Sequence, residues 1–265
     1  MRTEDEMVAY ALEADVALLP HLPELLTDLQ ELGSDAEAIA EVVADLGLPS
    51  GSRVIDRGCG KGATAVEIAA SLDVQVVGLE LFSPFLQACR ELARTNDVDG
   101  RCTFVGGDIK TKMHRVPAAD VVVFAALGDV LGPLDESVRI IREYVRPGRH
   151  LVISDVYLAD GAPGDFPGFE GYAEHAETVR RLTAAGDRLM CEILEDDEDS
   201  DEDDPDDEDD IDETALIAAR AEALVARLPE LAGPVGAFVA SQAEENAFIE
   251  DNVRDAIWVL RRADD

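Results

Sequence analysis

The residues whose types and spacing could do chemistry lie between Val54 and Asp108. Val54-Ile55-Asp56-Arg57-Gly58-Cys59-Gly60-Lys61-Gly62-Ala63 runs from an apolar stretch through a glycine-rich turn into a helical pattern. Glycines let a backbone turn tightly and approach a ligand closely, and a helix N-terminus offers unpaired N–H groups. By spacing alone, Gly58-x-Gly60-x-x-Ala63 also satisfies the dinucleotide fingerprint G-x-G-x-x-G/A. The neighbouring acids favour a different ligand. Asp56, two residues before the first glycine, is unwelcome beside a pyrophosphate but suits an ammonium group. Glu80 follows Gly58 by 22 residues, where a carboxylate can take both hydroxyls of a ribose. Gly106-Gly107-Asp108 places a third acid where it can accept from an exocyclic amine. The three carboxylates describe a pocket for a nucleoside with a positively charged tail.

The elements that must position them alternate. Short, almost continuously apolar strands are predicted at Arg53–Asp56, Val74–Glu80, Cys102–Gly107, Ala119–Ala126 and His150–Tyr157, with helices at about 62–72, 83–95 and 135–146. That alternation means a parallel sheet covered on both faces, with Asp56, Glu80 and Asp108 at the carboxyl ends of neighbouring strands, the edge where open sheets bind ligands. Before it, apolar stripes at Val8–Leu19 and Leu22–Leu32, and a Ser34-x-x-Glu37 capping box opening a third, predict three short helices as a cap. After it come a Gly/Pro-rich loop at 159–171, a helix near 172–185, a sixth strand at Arg188–Leu194, helices at about 212–228 and 236–250, and a final strand at Ala256–Leu260.

Composition excludes several classes. The chain has 265 residues, 47% apolar, and its longest clean apolar run, Val121 to Leu127, is far short of the roughly 18 residues of a membrane helix. The acidic N-terminus suggests neither a signal nor a transit peptide. Four scattered cysteines with no C-x-x-C fit reduced thiols in a cytoplasm, and the four histidines do not cluster at zinc spacing, so no metal is expected. The charge is extreme: 58 acids against 22 bases, only three of them Lys, for a net of −36. Residues 195–213 hold 16 of the acids and read as a solvated, disordered insertion; without them 42 acids still face 22 bases. An acidic, Lys-poor surface suggests adaptation to a salt-saturated cytoplasm, where repulsion is screened. The charge and the lack of basic patches with interleaved aromatics disfavour nucleic acid as a partner.

At this point the chain resembles the class I S-adenosylmethionine-dependent methyltransferases. The resemblance rests on Val54 to Gly62, Glu80, Gly107-Asp108-Ile109, the strand Asp120 to Ala125, and Arg146-Pro147-Gly148 before the fifth strand. It is firm over about 50–160, and most similar to the small-molecule branch that includes quinone-biosynthesis enzymes. Arg57, where an apolar residue is usual, and Arg149, where a second glycine is common, depart from the pattern. The resemblance implies an α/β, Rossmann-like doubly wound sheet of seven strands, mostly parallel with an antiparallel C-terminal strand. With the helical reading of the first residues and the charge of the tract, the expected layout is a helical cap (1–48), a cofactor-binding core (49–194), the acidic insertion (195–213), and a helix pair with a final strand completing the core (214–265). Asp56, Gly58, Cys59 and Gly60 would hold the methionine end of S-adenosylmethionine, Glu80 and Leu81 the ribose, and Asp108 with Ile109 the adenine, while Ala125 would lie along the cofactor.

On the acceptor side, Asp129 (after strand four) and His175 (after the lid) are candidate bases, each also readable as a turn, cap or surface residue. Tyr172 is a candidate substrate contact; so is Tyr10, as a cation–π partner of the sulfonium or simply core packing. The expected acceptor is a small molecule, with the oligomeric state left open. A nicotinamide-dependent oxidoreductase and a non-catalytic nucleoside-binding regulator stand as alternatives.

Overall fold

A computed structural model describes residues 2–112, 116–126, 128–194 and 213–264. Seven strands form one sheet: β1 (Arg53–Arg57), β2 (Gln75–Glu80), β3 (Cys102–Gly106), β4 (Ala119–Ala125), β5 (Val145–Leu158), β6 (Arg188–Leu194) and β7 (Val253–Arg261), in the order β3-β2-β1-β4-β5-β7-β6. β1 to β5 pair in parallel, and β7 runs antiparallel to β5 over nine residue pairs from His150↔Arg261 to Leu158↔Val253. The doubly wound α/β architecture read from the sequence is therefore the one observed. Val54 and Ile55 of β1, and Val121 to Phe124 of β4, are buried, as central parallel strands with both faces covered must be. Strand order reverses between β1 and β4, which opens a crevice at their carboxyl ends.

The helices are α1 (Glu4–Ala11), α2 (Leu22–Leu25), α3 (Ala36–Asp45), α4 (Ala63–Ser71), α5 (Ser83–Thr95), α6 (Ile109–Lys112), α7 (Leu134–Ile141), α8 (His175–Leu182), α9 (Glu213–Arg227) and α10 (Ala232–Asn252). The chain divides into two compact units: Met1–Gln30 with Leu194–Asn252, and Glu31–Ile193 with Val253–Asp265. In the sheet unit, α4 packs on α3 and α5, and α7 on α8. α3, grouped in sequence with the N-terminal cap, lies in this unit: Ile39, Ala40 and Val43 join Ala65, Ile68 and Ala69 of α4 and Val54, Val76 and Val121 of the sheet in one buried cluster. Each fully buried aliphatic side chain contributes about 1.5–3 kcal/mol, so this cluster fixes the floor beneath the glycine turn.

In the helical unit α9 packs on α2 and α10. Arg220 forks onto Asp28 at 2.6 and 2.7 Å and Arg227 reaches Glu24 at 2.6 Å. Such exposed pairs are screened by solvent and contribute little; buried Leu18, Leu22, Leu25, Ile217 and Leu224 supply the main stabilisation.

Three N-terminal expectations change in detail. The first helix stops at Ala11 because Glu13 turns to φ 48° and Asp15 accepts from Ala17 N to begin a 3-10 turn at Val16–Leu18. The second is helical only over Leu22–Leu25. The third is capped by Asp35, whose carboxylate accepts from Ala38 N at 2.9 Å, and not by Ser34. β5 starts five residues early, since the register jumps from Ala119↔Val145 to Val121↔His150 and accommodates Arg146 to Arg149 as an irregularity. The acidic tract lies outside the described residues except for Glu213, the first residue of α9; Leu127 and His114 also lie outside them. Among the described residues no helix is long and apolar enough to cross a membrane.

Candidate active site

The glycine turn is built by hydrogen bonds from its own backbone. Gly58 N and Cys59 N both donate to the Leu79 carbonyl, at 2.8 and 3.0 Å, folding the chain back against the end of β2. Gly58, Gly60 and Gly62 have φ of 73°, 50° and 91°, a region where a side chain is strained. Gly60 N donates to Glu80 Oε2 at 3.1 Å and Phe82 N to Oε1 at 2.6 Å. Gly107 N donates to the Glu80 carbonyl at 2.9 Å, which draws the end of β3 alongside. Glu80 thus links three loops at once.

Beneath the turn, Cys59 and Cys89 lie with sulfurs 3.9 Å apart, and Cys89 Sγ donates to the Gly60 carbonyl at 3.2 Å. This floor leaves no room for a methyl group on β2: a Cβ at Gly78 would lie 2.7 Å from Phe104 Cδ1 and 2.8 Å from Cys59 Sγ. Gly78→Ala is expected to destabilise the protein by about 1–3 kcal/mol and lower the thermal midpoint by roughly 5 °C. Gly100→Ala, at a glycine with nothing within 4 Å, should leave the midpoint unchanged; equal midpoints for the two variants would contradict the packing.

The electrostatics of the pocket are unusual. Asp56 is 2% exposed and its Oδ2 finds no hydrogen-bond partner among the described residues. Burial, and then the nearby Glu80 carboxylate, push its pKa up to about 7 against the opposing hydrogen bond from the Ala65 backbone. Burial also raises Glu80 to about 7, opposed by the N–H groups of Phe82, Gly60 and Leu81. Two carboxyls close to neutrality at physiological pH are poised for a cation. Arg57, completely buried, donates from Nη2 to the Ile109 carbonyl at 3.3 Å and lies over the Tyr144 ring at 5.7 Å. It ties the loop bearing Asp108 and Ile109 to β1. Asp108 Oδ1 accepts from Lys110 N at 2.8 Å, and Ile109 is buried.

A continuous rim connects this pocket to the other half of the sheet edge. A Cβ at Gly60 would lie 3.4 Å from Leu32 Cδ1, and one at Gly33 3.4 Å from Ala126 Cβ, so Leu32-Gly33 spans from the glycine turn to the end of β4. Ala126, just past Ala125, has φ 44° and donates to the Ser154 carbonyl of β5 at 3.0 Å. A Cβ at Gly128 would lie 3.6 Å from the Tyr172 hydroxyl, and that hydroxyl donates to Asp155 Oδ1 at 3.0 Å. Tyr172 therefore stands on the rim.

The other acceptor-side candidates make different contacts. Asp129 is exposed in the turn after β4, its carbonyl accepting from Gly132 N at 2.7 Å. His175 opens α8 and its Nε2 meets Glu192 Oε2 of strand β6 at 2.8 Å, with its ring edge-on to Tyr157. Tyr10 belongs to the helical unit, 43% exposed with the Arg2 guanidinium 3.7 Å above its ring. Asp155, which sequence reasoning did not single out, lies in β5 one residue beyond Ser154, the partner of Ala125, and three before the strand ends at Leu158; the polar pair Ser154-Asp155 inside an apolar strand was its only signal.

With this geometry in place, a family model described as a methyltransferase domain matches residues 48–204, more than half of the chain. The chain belongs to the methyltransferase-domain family. It is 30% identical over 140 residues to 27-O-demethylrifamycin SV methyltransferase of Amycolatopsis mediterranei, covering 52% of this chain and 48% of that protein. It is 36% identical over 107 residues to ribosomal protein L11 methyltransferase of Photobacterium profundum, covering 40% and 34%. The chain thus spans about half or less of the length of these curated relatives. In fold it is similar to an S-adenosylmethionine-dependent methyltransferase from Thiobacillus denitrificans solved with S-adenosyl-L-homocysteine (TM-score 0.72, 18% identity, 90% of this chain and 96% of that one). The matched span contains strands β1 to β6 and the rim residues described above apart from Leu32 and Gly33, which precede it.

Proposed function

We propose that this chain binds S-adenosylmethionine and transfers its methyl group to a small molecule. The observation that carries the reading is the orphaned, buried Asp56 carboxylate oxygen beside Glu80 and the glycine turn. An unpaired buried carboxylate is costly, and an ammonium-bearing ligand would compensate it where a dinucleotide phosphate would not. The residues present fit the cofactor. Asp56 and the turn from Gly58 to Gly60 would hold its amino-acid end. Glu80, oriented by the Gly60 and Phe82 N–H groups on its two oxygens, would take the ribose hydroxyls, next to Leu81. Asp108 and Ile109 would hold the adenine, with Arg57 fixing their loop.

The cofactor supplies an already activated methyl group. The protein then has to orient and to exclude water, and orientation can supply several of the roughly 7–11 kcal/mol such effects reach. Leu32-Gly33 laid over the turn and the bend at Ala126 shape that wall. The small-molecule acceptor, in the manner of the quinone-biosynthesis branch, is supported by the relative named for a rifamycin and by the chain's lack of basic patches. The acidic, Lys-poor composition supports work in a salt-rich cytoplasm.

Calorimetric titration in molar KCl tests the reading: S-adenosylhomocysteine should bind and NADH should not. Binding of NADH alone would transfer the site to nicotinamide chemistry.

A further inference from the structure

Asp155 and Tyr172 take no part in the cofactor pocket just described, yet they occupy the same rim. Ser154 pairs with Ala125 across β4 and β5, so Asp155 is the first residue of β5 beyond the end of β4, while β5 continues beside β7 to Leu158. The Tyr172 hydroxyl, 3.0 Å from Asp155 Oδ1 and within 3.6 Å of where a Gly128 side chain would begin, lies between that carboxylate and the loop after β4. Any side chain at Gly128 would meet this hydroxyl. Tyr172 is itself held by Phe169, a buried ring 5.1 Å away, so the phenol is fixed in direction. Asp155 also accepts from its neighbour Val156 N at 2.9 Å.

Resting on the methyl-transfer reading above, we propose that Tyr172 and Asp155 are the proton-accepting pair of the acceptor side, and that the acceptor is a molecule carrying a neutral hydroxyl. A base is useful only where the nucleophile starts protonated, and a hydroxyl is the acceptor that needs it. As the acceptor oxygen forms its bond to the methyl carbon, the carbon–sulfur pair leaves with sulfur. The acceptor O–H breaks, its proton goes to the Tyr172 oxygen, and the Tyr172 proton goes to Asp155 Oδ1. The products are a methyl ether, a thioether and a protonated Asp155 that returns its proton to water. Tyr172 is the catalytic residue here and Asp155 acts through it.

Burial raises Asp155 to about 6, opposed by Val156 N and the Tyr172 hydroxyl and reinforced by Asp255 of β7. The carboxylate is therefore ionised and able to accept at neutral pH, and that capacity is lost as pH falls through about 6.

The test uses 4-nitrophenol as a hydroxyl probe on the full chain saturated with S-adenosylhomocysteine. The pH is set above the Asp155 titration and below that of the free phenol. The expected result is the phenolate absorption band on binding to the wild type and its loss in Tyr172→Phe and Asp155→Asn, both of which keep wild-type affinity for S-adenosylhomocysteine. A wild type that binds S-adenosylhomocysteine but produces no phenolate band overturns the proposal and leaves methyl transfer standing; so does a band that survives in either variant. A wild type that does not bind S-adenosylhomocysteine removes the methyl-transfer reading and this one with it.

Discussion

Asp56→Asn is expected to weaken S-adenosylhomocysteine binding by about 100- to 1,000-fold and to raise the unfolding midpoint of the ligand-free protein by several degrees. The two effects have one cause. Asp56 is buried, one of its oxygens has no hydrogen-bond partner, and Glu80 stands near it. In the folded, ligand-free chain its pKa is raised to about 7, far above its unfolded value. A group raised in this way binds its proton more tightly when folded, so its contribution to stability is greatest below the unfolded pKa and declines as pH climbs through about 7. The neutral amide of Asn removes that burden at neutral pH. It also removes the countercharge for an ammonium, and stripping one partner from a buried ion pair costs about 3–5 kcal/mol.

The pH dependence follows with a definite sign. Both Asp56 and Glu80 titrate near 7, so wild-type affinity should fall below that pH with a slope approaching two protons, and the Asp56→Asn curve with one. Calorimetry across pH and a thermal melt settle both halves. Wild-type affinity in the Asn variant, or a lowered midpoint, would remove Asp56 from the role of ammonium partner.

How far these features could be read in advance depends on what kind of signal each residue leaves. Strands β1, β2 and β4 announce themselves because parallel central strands must be apolar on both faces, and Asp56 is visible as the one acid inside such a run ahead of glycines. Glu80 and Asp108 are visible by their distance from that turn. Asp155 is equally an acid within an apolar strand, but among 58 acidic residues and with no glycine motif beside it, nothing separated it from surface charge. Its meaning comes from the hydroxyl of Tyr172, 17 positions away, and sequence spacing carries no information about that contact.

His175 carries a contact of the same kind. A histidine after a Gly/Pro-rich loop satisfies the pattern of an acceptor-side base, and in the fold it opens α8 with its ring against Glu192 on β6, a partner that spacing does not foretell. The N-terminal stripes misled for a local reason. Apolar residues at helical spacing persist through Leu19 and Leu32, while single backbone events, such as Glu13 at positive φ and the Asp15 cap, end the helices sooner. Apolar periodicity reports which face is buried and is blind to such breaks.

The second large effect concerns salt. Lowering KCl from several molar to about 0.1 M is expected to reduce the thermal midpoint by roughly 10–20 °C, because repulsion screened within about 3 Å at 1 M then reaches about 10 Å. With 58 acids and 22 bases, pairing every base with one acid would still leave 36 acids uncompensated. Two carboxylates about 7 Å apart in water repel by roughly 0.6 kcal/mol, and a few tens of such neighbours sum to a sizeable part of the 5–15 kcal/mol by which domains are stable. Screening is complete by about 1 M, so the part of the trend below that concentration is set by the charge term.

Removing residues 195–213 discriminates between two origins of the effect. The shortened chain keeps a net charge of −20 over 246 residues, so if repulsion is distributed over the folded surface it should retain most of the salt dependence. If the dependence vanishes with the tract, the tract alone causes it and the folded surface is not specially adapted. Screening is also distinguishable from general salting-out: screening saturates by about 1 M, whereas stabilisation by excluded salts such as sulfate continues to rise. A midpoint that is flat from 0.1 M upward would show that the acidic surface is tolerated without salt, and the inference of a salt-rich working environment would fail with it.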